Sequence, residues 1–365
     1  MVDNARHGSP VSTNSFRWQV FKVTASKALR LTAAAAVALL ALTALHGCGY
    51  VMPKAATHSV AVSPNAAVTA PPPAMMRVNP LTGLGPVPIG PVVAVKVDDT
   101  EAGRPSMGLD KADVIYIEEA EGGLSRMVAV FASAKPQVRA VRSVRTSDPE
   151  LLGAYGRIIL VASGGGGNAL PTLDRSGLYS LINDRGQAGF HRDLARAAPY
   201  NLVTDLAAVS GAVKAVGVRN VGFTWAVTDP HLSGAKVAPV VSTLVGSTSV
   251  DFVWDPKMAR YVRTVGGQQI TAADGTVVAK PNVLVQYCQA TADHSDIDVN
   301  GNPSMYTHSA GSGGVVLFRG GKRIEGTWSR ASNGAPTLFQ DSAGKPLLFA
   351  PGGTFVALVR PGAHA

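Results

Sequence analysis

Carboxylate side chains directly follow two predicted strands in the first half of the chain. They are Asp98 and Asp99, after the apolar run Val92–Val97, and Glu118, Glu119 and Glu121, after Val114–Ile117. In open α/β sheets, loops at the carboxyl ends of the strands gather ligand-binding groups. Two such acids, one protonated and one ionised, can also hydrolyse a glycosidic bond. The sequence therefore offers either an acid–base pair or a set of ion-pair partners.

Arginines that could pair with these acids lie in the same part of the chain. Arg126 begins the next strand, and the short connection makes that strand antiparallel, so Arg126 lies at the edge where Glu118 ends. In Val138–Arg145, valines and arginines each recur three residues apart. On a helix or a polyproline-like turn, that spacing brings three arginines together: Arg139, Arg142 and Arg145. Guanidinium groups bind carboxylates and phosphates through paired hydrogen bonds.

Three interpretations of these arginines stay open: salt bridges with the protein's own acids, a site for an anionic ligand, and a solvated surface. Buried unpaired charges cost several kcal/mol. We therefore predict that Arg126, and at least one of Arg142 and Arg145, lies within salt-bridge reach of these acids, beside a pocket bordered by Gly164–Gly167. No residue is assigned a catalytic role. The candidate ligand-binding residues are Asp98, Asp99, Arg104, Glu118, Glu121, Arg126, Arg142 and Arg145.

Other motifs do not indicate a cofactor or a metal. Gly164–Gly167 lacks the Gly-Lys-Ser/Thr that continues a nucleotide-binding loop. Asp296–Gly301 matches the first half of a calcium loop, but Thr307 stands where the bidentate Glu belongs. We interpret it as a polar loop and expect no metal and no cofactor. Cys288 ends an apolar run, which predicts a buried small hydrophobe.

The chain is predicted to be α+β, with two folded parts. Residues 79–233 contain near-continuous apolar strands (Val92–Val97, Val114–Glu118, Met127–Phe131 and Arg157–Ala162) and helical stretches (Pro149–Tyr155 and Leu202–Val216). This pattern predicts an N-terminal α/β sandwich. Residues 234–365 carry short strands separated by glycine-rich turns, which predicts a mainly antiparallel β domain, a small barrel or sandwich.

The first 78 residues indicate export and anchoring. Leu31–Leu45 is uncharged and follows Lys22, Lys27 and Arg30, which is the order of a signal peptide. It is shorter than the ~20 residues of a membrane-spanning helix. The next residues, Leu45-His46-Gly47-Cys48, resemble the lipobox of bacterial lipoproteins. We predict a signal peptide at 1–47, a palmitate-type lipid on Cys48, and a flexible Ala/Pro-rich tether at 48–78.

The charge balance argues against nucleic acid as a partner. The formal net charge is +9. The segment before Cys48 holds five basic residues against Asp3, which leaves +5 for the rest of the chain. Such a mild excess favours attraction to anionic lipids or wall polymers over nucleic-acid binding.

An ordered set of motifs resembles the YerB-like lipoprotein family. In the first part these are Asn79–Gly83, Arg104–Leu109, Glu121–Arg126, Val141–Arg145 and Ala198–Leu202. In the second they are Tyr261–Arg263, Asn282–Val283, Gly311–Gly313 and Gly326–Trp328. The resemblance implies a two-domain lipoprotein on the outer side of the cell membrane. It implies no substrate, since the family's domains have no known function.

Our hypothesis at this stage is a membrane-anchored cell-envelope binding or assembly factor that recognises an anionic ligand. Its partners would be the membrane, through the lipid, and an anionic wall polymer or an envelope protein. One alternative is a carboxylate-dependent hydrolase of cell-wall material. Another is a protein-interaction module without a ligand. The arginines without a recognisable catalytic set favour the first hypothesis over an enzyme.

Overall fold

The computed structural model describes residues 78–211, 213–214 and 217–364. Cys48, the predicted signal peptide and almost all of the predicted tether lie outside the described residues. The described chain is mostly β-strand with few helices.

The first part of the chain contains all four strands predicted for it, with ends shifted by one or two residues. Its strands are β1 Val93–Asp98, β2 Val114–Glu119, β3 Ser125–Phe131, β4 Gln137–Arg139, β5 Ile159–Ala162, β6 Tyr179–Ile182, β7 Phe190–Arg192 and β8 Leu202–Asp205. Its helices are α1 Asp148–Leu152, α2 Ala169–Arg175 and α3 Leu206–Ser210. Single 3-10 turns occupy Glu101–Gly103, Leu109–Lys111, Glu121–Gly123, Gly153–Tyr155 and Asn183–Arg185.

After residue 210 the described chain is built from strands, apart from a 3-10 turn at Pro230–Ser233. This turn and the strand Thr224–Trp225 precede the predicted boundary at residue 233. The strands are β9 Thr224–Trp225, β10 Lys236–Val237, β11 Val240–Val245, β12 Thr248–Asp255, β13 Arg260–Val265, β14 Gln268–Gln269, β15 Ala279–Lys280, β16 Asn282–Tyr287, β17 Ala290–Ile297, β18 Pro303–Thr307, β19 Gly311–Arg319, β20 Lys322–Arg330, β21 Leu338–Gln340, β22 Leu348–Phe349 and β23 Thr354–Val359.

One large mixed sheet draws strands from both parts of the chain. Its order is β10-β20-β19-β16-β23-β2-β3-β1-β5-β6, and β21 pairs with β20. β23 lies between β16 and β2 and runs parallel to both, with Val114 opposite Thr354. The two predicted parts therefore share a sheet. The boundary placed at residue 233 stays a prediction.

Smaller sheets and a hairpin surround the large sheet. β11-β12-β13-β14 form an antiparallel sheet that β15 joins through β13, and β4-β8-β7 form a three-stranded antiparallel sheet. β17 and β18 form an antiparallel hairpin, and β9 pairs in parallel with β22.

The large sheet has a hydrophobic core on each face, because side chains alternate along a strand. Ala94 and Val128 belong to the first core, which includes residues of α1 and α2 and the aromatic group Phe223, Trp225, Phe339 and Phe349. Val93 and Val95 belong to the second core, with residues of the β11–β15 sheet, β8 and α3. The strands are thus buried on both faces, which explains their continuous apolar sequences.

The helix predicted over Leu202–Val216 is wrong in its first turn. Leu202–Asp205 forms the central strand of β4-β8-β7, where Leu202 and Val203 are buried. The helix α3 begins only at Leu206, because the Asp205 carboxylate accepts the backbone N–H groups of Ala207 and Ala208 at 2.9 and 3.1 Å. An aspartate in this role marks a helix N-terminus, not its interior.

Candidate functional site

The strands β1, β2 and β5 run in the same direction and end at one edge of the large sheet. β3 runs antiparallel between β1 and β2, so Arg126 lies opposite both Asp98 and Glu118. Neighbours across strands share a face of the sheet. The strand pairing therefore brings acids and an arginine together at this edge.

Alternation along the strands sends the acids to opposite faces. Asp98 and Glu118 lie on the face that packs against α1, as does Lys96, two residues before Asp98. Asp99 and Glu119 lie on the other face. The five acids of the sequence motif do not form one cluster.

The segment from Arg139 to Arg145 is extended rather than helical. The Arg142 N–H donates to the Lys96 carbonyl, and the Ser163 N–H donates to the Arg142 carbonyl, both at 2.9 Å. Val144 donates to the Gly164 carbonyl at 2.9 Å. The segment thus runs between the ends of β1 and β5 and completes the edge of the sheet.

The three arginines of that segment do not lie together, which corrects the prediction from their spacing. Arg139 bonds to the Asp193 carboxylate and to the Pro105 carbonyl, each at 2.6 Å. Ala140, with φ of 63°, changes the direction of the chain directly after Arg139. Only Arg142 and Arg145 join Arg126 at the sheet edge.

The ion pairs predicted at this edge are present. Arg145 pairs with Glu121, Arg126 Nη2 lies 3.6 Å from Glu121 Oε2, and Arg142 Nε lies 3.4 Å from Asp98 Oδ2. Burial raises the pKa of Glu121, but Arg145 and Arg126 outweigh it and hold that pKa below its ordinary value. Burial, reinforced by Arg145, lowers the pKa of Arg126 to about 10.

Hydrogen-bond donors remain unused in this cluster. Within the described ranges, Arg126 Nε is buried and has no hydrogen-bond acceptor, and the whole residue is 4% exposed. Arg142 Nη1 is buried and likewise has no acceptor among the described residues. Leaving a buried donor unsatisfied costs roughly 1–3 kcal/mol. Each of these two arginines therefore carries a donor that the described residues leave unpaired.

A pocket of about 220 Å³ opens beside Arg142. We call it the Arg142 pocket. Its polar lining is Arg142, Ser143, Ser163, Asp184 and Arg192, and its apolar lining is Val141, Pro199 and Leu202. The Arg142 guanidinium lies over the ring of Tyr200, 5.4 Å from its centroid. Ser163 leads into the Gly164–Gly167 loop, so the pocket lies beside that loop.

A second buried cluster of charged residues lies next to this edge of the sheet. Two of its members, Lys96 and Asp148, were not predicted from the sequence. Lys96 is fully buried, and its ammonium group contacts the Glu118 carboxylate and, at 2.8 Å, Asp148 Oδ1. Burial raises the pKa of Glu118 to about 7, which outweighs the opposing effect of Lys96. One ammonium can neutralise one carboxylate. Asp148 also accepts the Arg145 N–H at 2.6 Å, which gives that carboxylate a second hydrogen-bond donor.

The remaining candidates make contacts between neighbouring segments on the second face and do not line the Arg142 pocket. Arg263 of β13 pairs with Asp99 at 2.7 Å, and the Ser125 hydroxyl donates to the same carboxylate at 2.6 Å. Arg104 donates to the Asp99 carbonyl at 2.5 Å. Glu119 accepts two hydrogen bonds from Arg360, at 2.6 and 2.7 Å. These contacts join the β11–β15 sheet and the segment after β23 to the large sheet.

The half calcium motif forms a self-contained turn. The Asp298 carboxylate accepts the backbone N–H groups of Asn300 and Asn302, at 2.9 and 2.8 Å, whereas Asp296 is buried. No three metal-ligating side chains gather anywhere in the described part of the chain. Cys288 is buried, as predicted, and burial raises the pKa of its thiol to about 12.

This architecture and the motifs at the sheet edge define a two-segment protein family. A family model described as "Protein of unknown function (DUF3048) N-terminal domain" matches residues 81–219, and its C-terminal counterpart matches residues 240–356. The chain belongs to this family.

A curated relative and a solved structure support this assignment. The chain is 30% identical over 278 residues to "Putative lipoprotein YerB" of Bacillus subtilis (strain 168), covering 73% of this chain and 80% of the relative. A crystal structure of the YerB protein from Bacillus subtilis matches with a TM-score of 0.66 and 25% identity, covering 79% of this chain and 98% of the other. The resemblance inferred from the motifs is confirmed. Among the described residues, no helix is long and apolar enough to cross a membrane.

Proposed function

We propose that this protein is a lipid-anchored envelope factor that binds an anionic ligand at the Arg142 pocket. The observation that carries the proposal is the partly exposed Arg142 guanidinium, which lines the pocket and has a single carboxylate beside it in the described chain, that of Asp98. Arg192 supplies a second guanidinium to the same pocket. Arginine is suited to this role because its planar donors match carboxylate and phosphate oxygens.

The local balance of charge supports a ligand over a purely internal set of salt bridges. Three guanidiniums, those of Arg126, Arg142 and Arg145, have two carboxylates within 4 Å, Asp98 and Glu121. A third carboxylate, that of Asp296, acts on Arg145 from farther away. Asp98 is further engaged by Thr100, whose N–H donates to it at 2.7 Å. An anion bound at the pocket would add a second counter-charge to the exposed part of the Arg142 guanidinium.

Replacing Arg142 by alanine tests the proposal. Full-length protein in detergent is mixed with bacterial cell-wall sacculi, which carry carboxylates and phosphates, and the bound fraction is measured by co-sedimentation. Loss of a charged hydrogen bond of roughly 1.5–3 kcal/mol predicts about tenfold weaker binding or more. The control is Arg175→Ala, which removes an exposed guanidinium at the end of α2. Equal binding by wild type and a folded Arg142→Ala variant would refute the proposal.

The two alternative functions receive less support. Each of the five acids contacts a cation within the described chain: Asp98 with Arg142, Asp99 with Arg263, Glu118 with Lys96, Glu119 with Arg360, and Glu121 with Arg145. All five acids are also less than a tenth exposed, so the arrangement offers no accessible acid–base pair for a hydrolase. On the outer face of β11 and β12, the polar pair Ser242 and Asp251 separates exposed Leu244 from exposed Val240 and Val253, which breaks up an apolar docking surface.

The lipid anchor on Cys48 forms the second half of the proposal. It is supported by the lipobox-like sequence and by membership of a family with a named lipoprotein. Metabolic labelling with a palmitate analogue should mark the wild type and fail to mark Cys48→Ser. The control is Cys288→Ala, which alters the other cysteine of the chain. Label that persists in Cys48→Ser would exclude this anchor.

A further inference from the structure

The Arg142 pocket carries both signs of charge. Arg142 and Arg192 line it together with Asp184. The Asp184 N–H donates to the Ser163 carbonyl at 2.9 Å, which fixes the turn that presents the carboxylate. Asp184 Oδ2 lies so near Gly164 that a Cβ at that position would come within 2.0 Å of it. The first glycine of the loop therefore leaves room for this acid at the pocket.

Two hydroxyls lie among the pocket's charged groups. Ser143 Oγ and Ser163 Oγ are 3.3 Å apart, and either can donate to the other. A serine hydroxyl donates one hydrogen bond and accepts others, so these groups can serve an anion or a ligand hydroxyl. Pro199, Val141 and Leu202 add an apolar wall.

A simple anion would use only part of this lining, because Asp184 repels it. A ligand that also carries hydroxyl or ammonium donors would use the Asp184 carboxylate as an acceptor. The pocket volume of about 220 Å³ is below the ~300–1,000 Å³ of typical drug-sized sites. It suits one sugar-sized unit.

We propose that the Arg142 pocket holds one acidic sugar unit, with its anionic group at the arginines and its hydroxyl or ammonium donors at Asp184. This inference rests on the proposed function, since it names the class of ligand for the same site. The apolar wall would contact the nonpolar face of the sugar ring, and the serine hydroxyls would bond to its substituents.

The test uses Asp184→Asn and two probes. Muramic acid carries a carboxylate, hydroxyls and an ammonium group, and lactate carries a carboxylate and one hydroxyl. Affinities are measured on full-length protein by calorimetry or by NMR titration. Asp184→Asn should weaken the binding of muramic acid about tenfold, because a charged hydrogen bond is lost. The same substitution should strengthen the binding of lactate, because a carboxylate that repels the lactate anion is removed. Asp274→Asn, in an exposed turn, controls for net charge.

The outcomes separate the two proposals. If Asp184→Asn changes both affinities in the same direction while Arg142→Ala weakens both, the acidic-sugar proposal fails and the anion site stands. If Arg142→Ala changes neither affinity, the proposed function fails. If the folded wild type binds neither probe, the acidic-sugar proposal is overturned, and the sacculus measurement decides the anion site.

Discussion

Glu121 is the carboxylate on which the buried arginines of the sheet edge depend. Arg126 and Arg145 both pair with it, and all three side chains are less than a tenth exposed. Glu121→Gln should destabilise the folded chain by about 3–5 kcal/mol, because it leaves two buried guanidiniums without a close counter-charge. Urea denaturation measures this loss.

Asp174→Asn is the matched control for that substitution. Asp174 pairs with Arg185, and both side chains are at least a third exposed. Water and ions screen such a pair, so the same chemical change should cost at most about 1 kcal/mol. Equal losses in the two variants would mean that the site's ion pairs contribute no more than surface contacts.

The protonation of Glu118 predicts a pH dependence of stability. Its pKa is raised from 4.5 to about 7 in the folded chain. Between these values the folded state holds a proton that the unfolded state lacks. Its contribution to stability is therefore complete below about 4.5 and is lost as pH rises through about 7.

The effect can be isolated by comparison with Glu118→Gln, which resembles the protonated acid. From pH 5 to 7, the wild type should lose stability relative to the variant, by up to about 1.4 kcal/mol per pH unit. Urea denaturation at several pH values provides the measurement. Parallel profiles for the two proteins would show that Glu118 titrates alike in the folded and unfolded chains.

At the residue scale, the sequence predicted the sheet-edge ion pairs but not all of their members. Arg126 and Asp98 followed from strand ends, which are local features. Lys96 was missed, although a lysine inside the apolar run Val92–Val97 was a visible signal that a buried charge needs a partner. Its partner Asp148 lies 52 positions along the chain. Only the tertiary fold could show that pairing.

At the scale of secondary-structure elements, the Gly164–Gly167 loop packs against the β17–β18 hairpin. The Asn168 N–H donates to the Ser295 carbonyl at 2.8 Å. Gly167 has φ of +38°, and a Cβ there would come within 2.0 Å of the same carbonyl. Gly167→Ala should destabilise the chain and loosen the hairpin, seen as faster hydrogen exchange of the Asn168 amide.

Gly177→Ala separates backbone strain from that contact. Gly177 has φ of +79°, yet nothing lies within 4 Å of its added Cβ. An alanine there suffers only the left-handed backbone penalty of about 1–2 kcal/mol. The loss of stability in Gly167→Ala should exceed this penalty by at least about 1 kcal/mol. A smaller loss at Gly167 would show that the hairpin can shift freely.

The elements were predictable where their pattern was local. Continuous apolar runs identified β1, β2, β3 and β5, because both faces of the large sheet are covered. The prediction of a helix from Leu202 was wrong because the spacing of apolar residues does not reveal the capping role of Asp205. It also does not reveal the two strands that flank β8. Strand pairing over such distances is decided by tertiary packing.

For the whole molecule, the shared sheet predicts a single unfolding transition. Phe355 of β23 is fully buried, and its ring lies 4.8 Å from that of Phe252 in the β11–β15 sheet. Phe355→Ala should destabilise both parts together, by about 3–5 kcal/mol. Hydrogen exchange of β1, in the first part, and of β19, in the second part, should report the same midpoint in urea. Two separate midpoints would contradict the shared sheet.

β23 also imposes an order of events on the molecule. This strand is C-terminal to every other described strand, yet it lies in the interior of the large sheet, between β16 and β2. A chain delivered from its N-terminus, by a ribosome or through an export channel, presents β2 long before its neighbour arrives. Until then the edge of β2 stays open to pairing with other chains. Of the described strands, the one at the centre of the sheet is thus the last to be delivered. The large sheet stays incomplete while the chain is in transit, and a chain that stalls exposes an unpaired strand edge that favours aggregation.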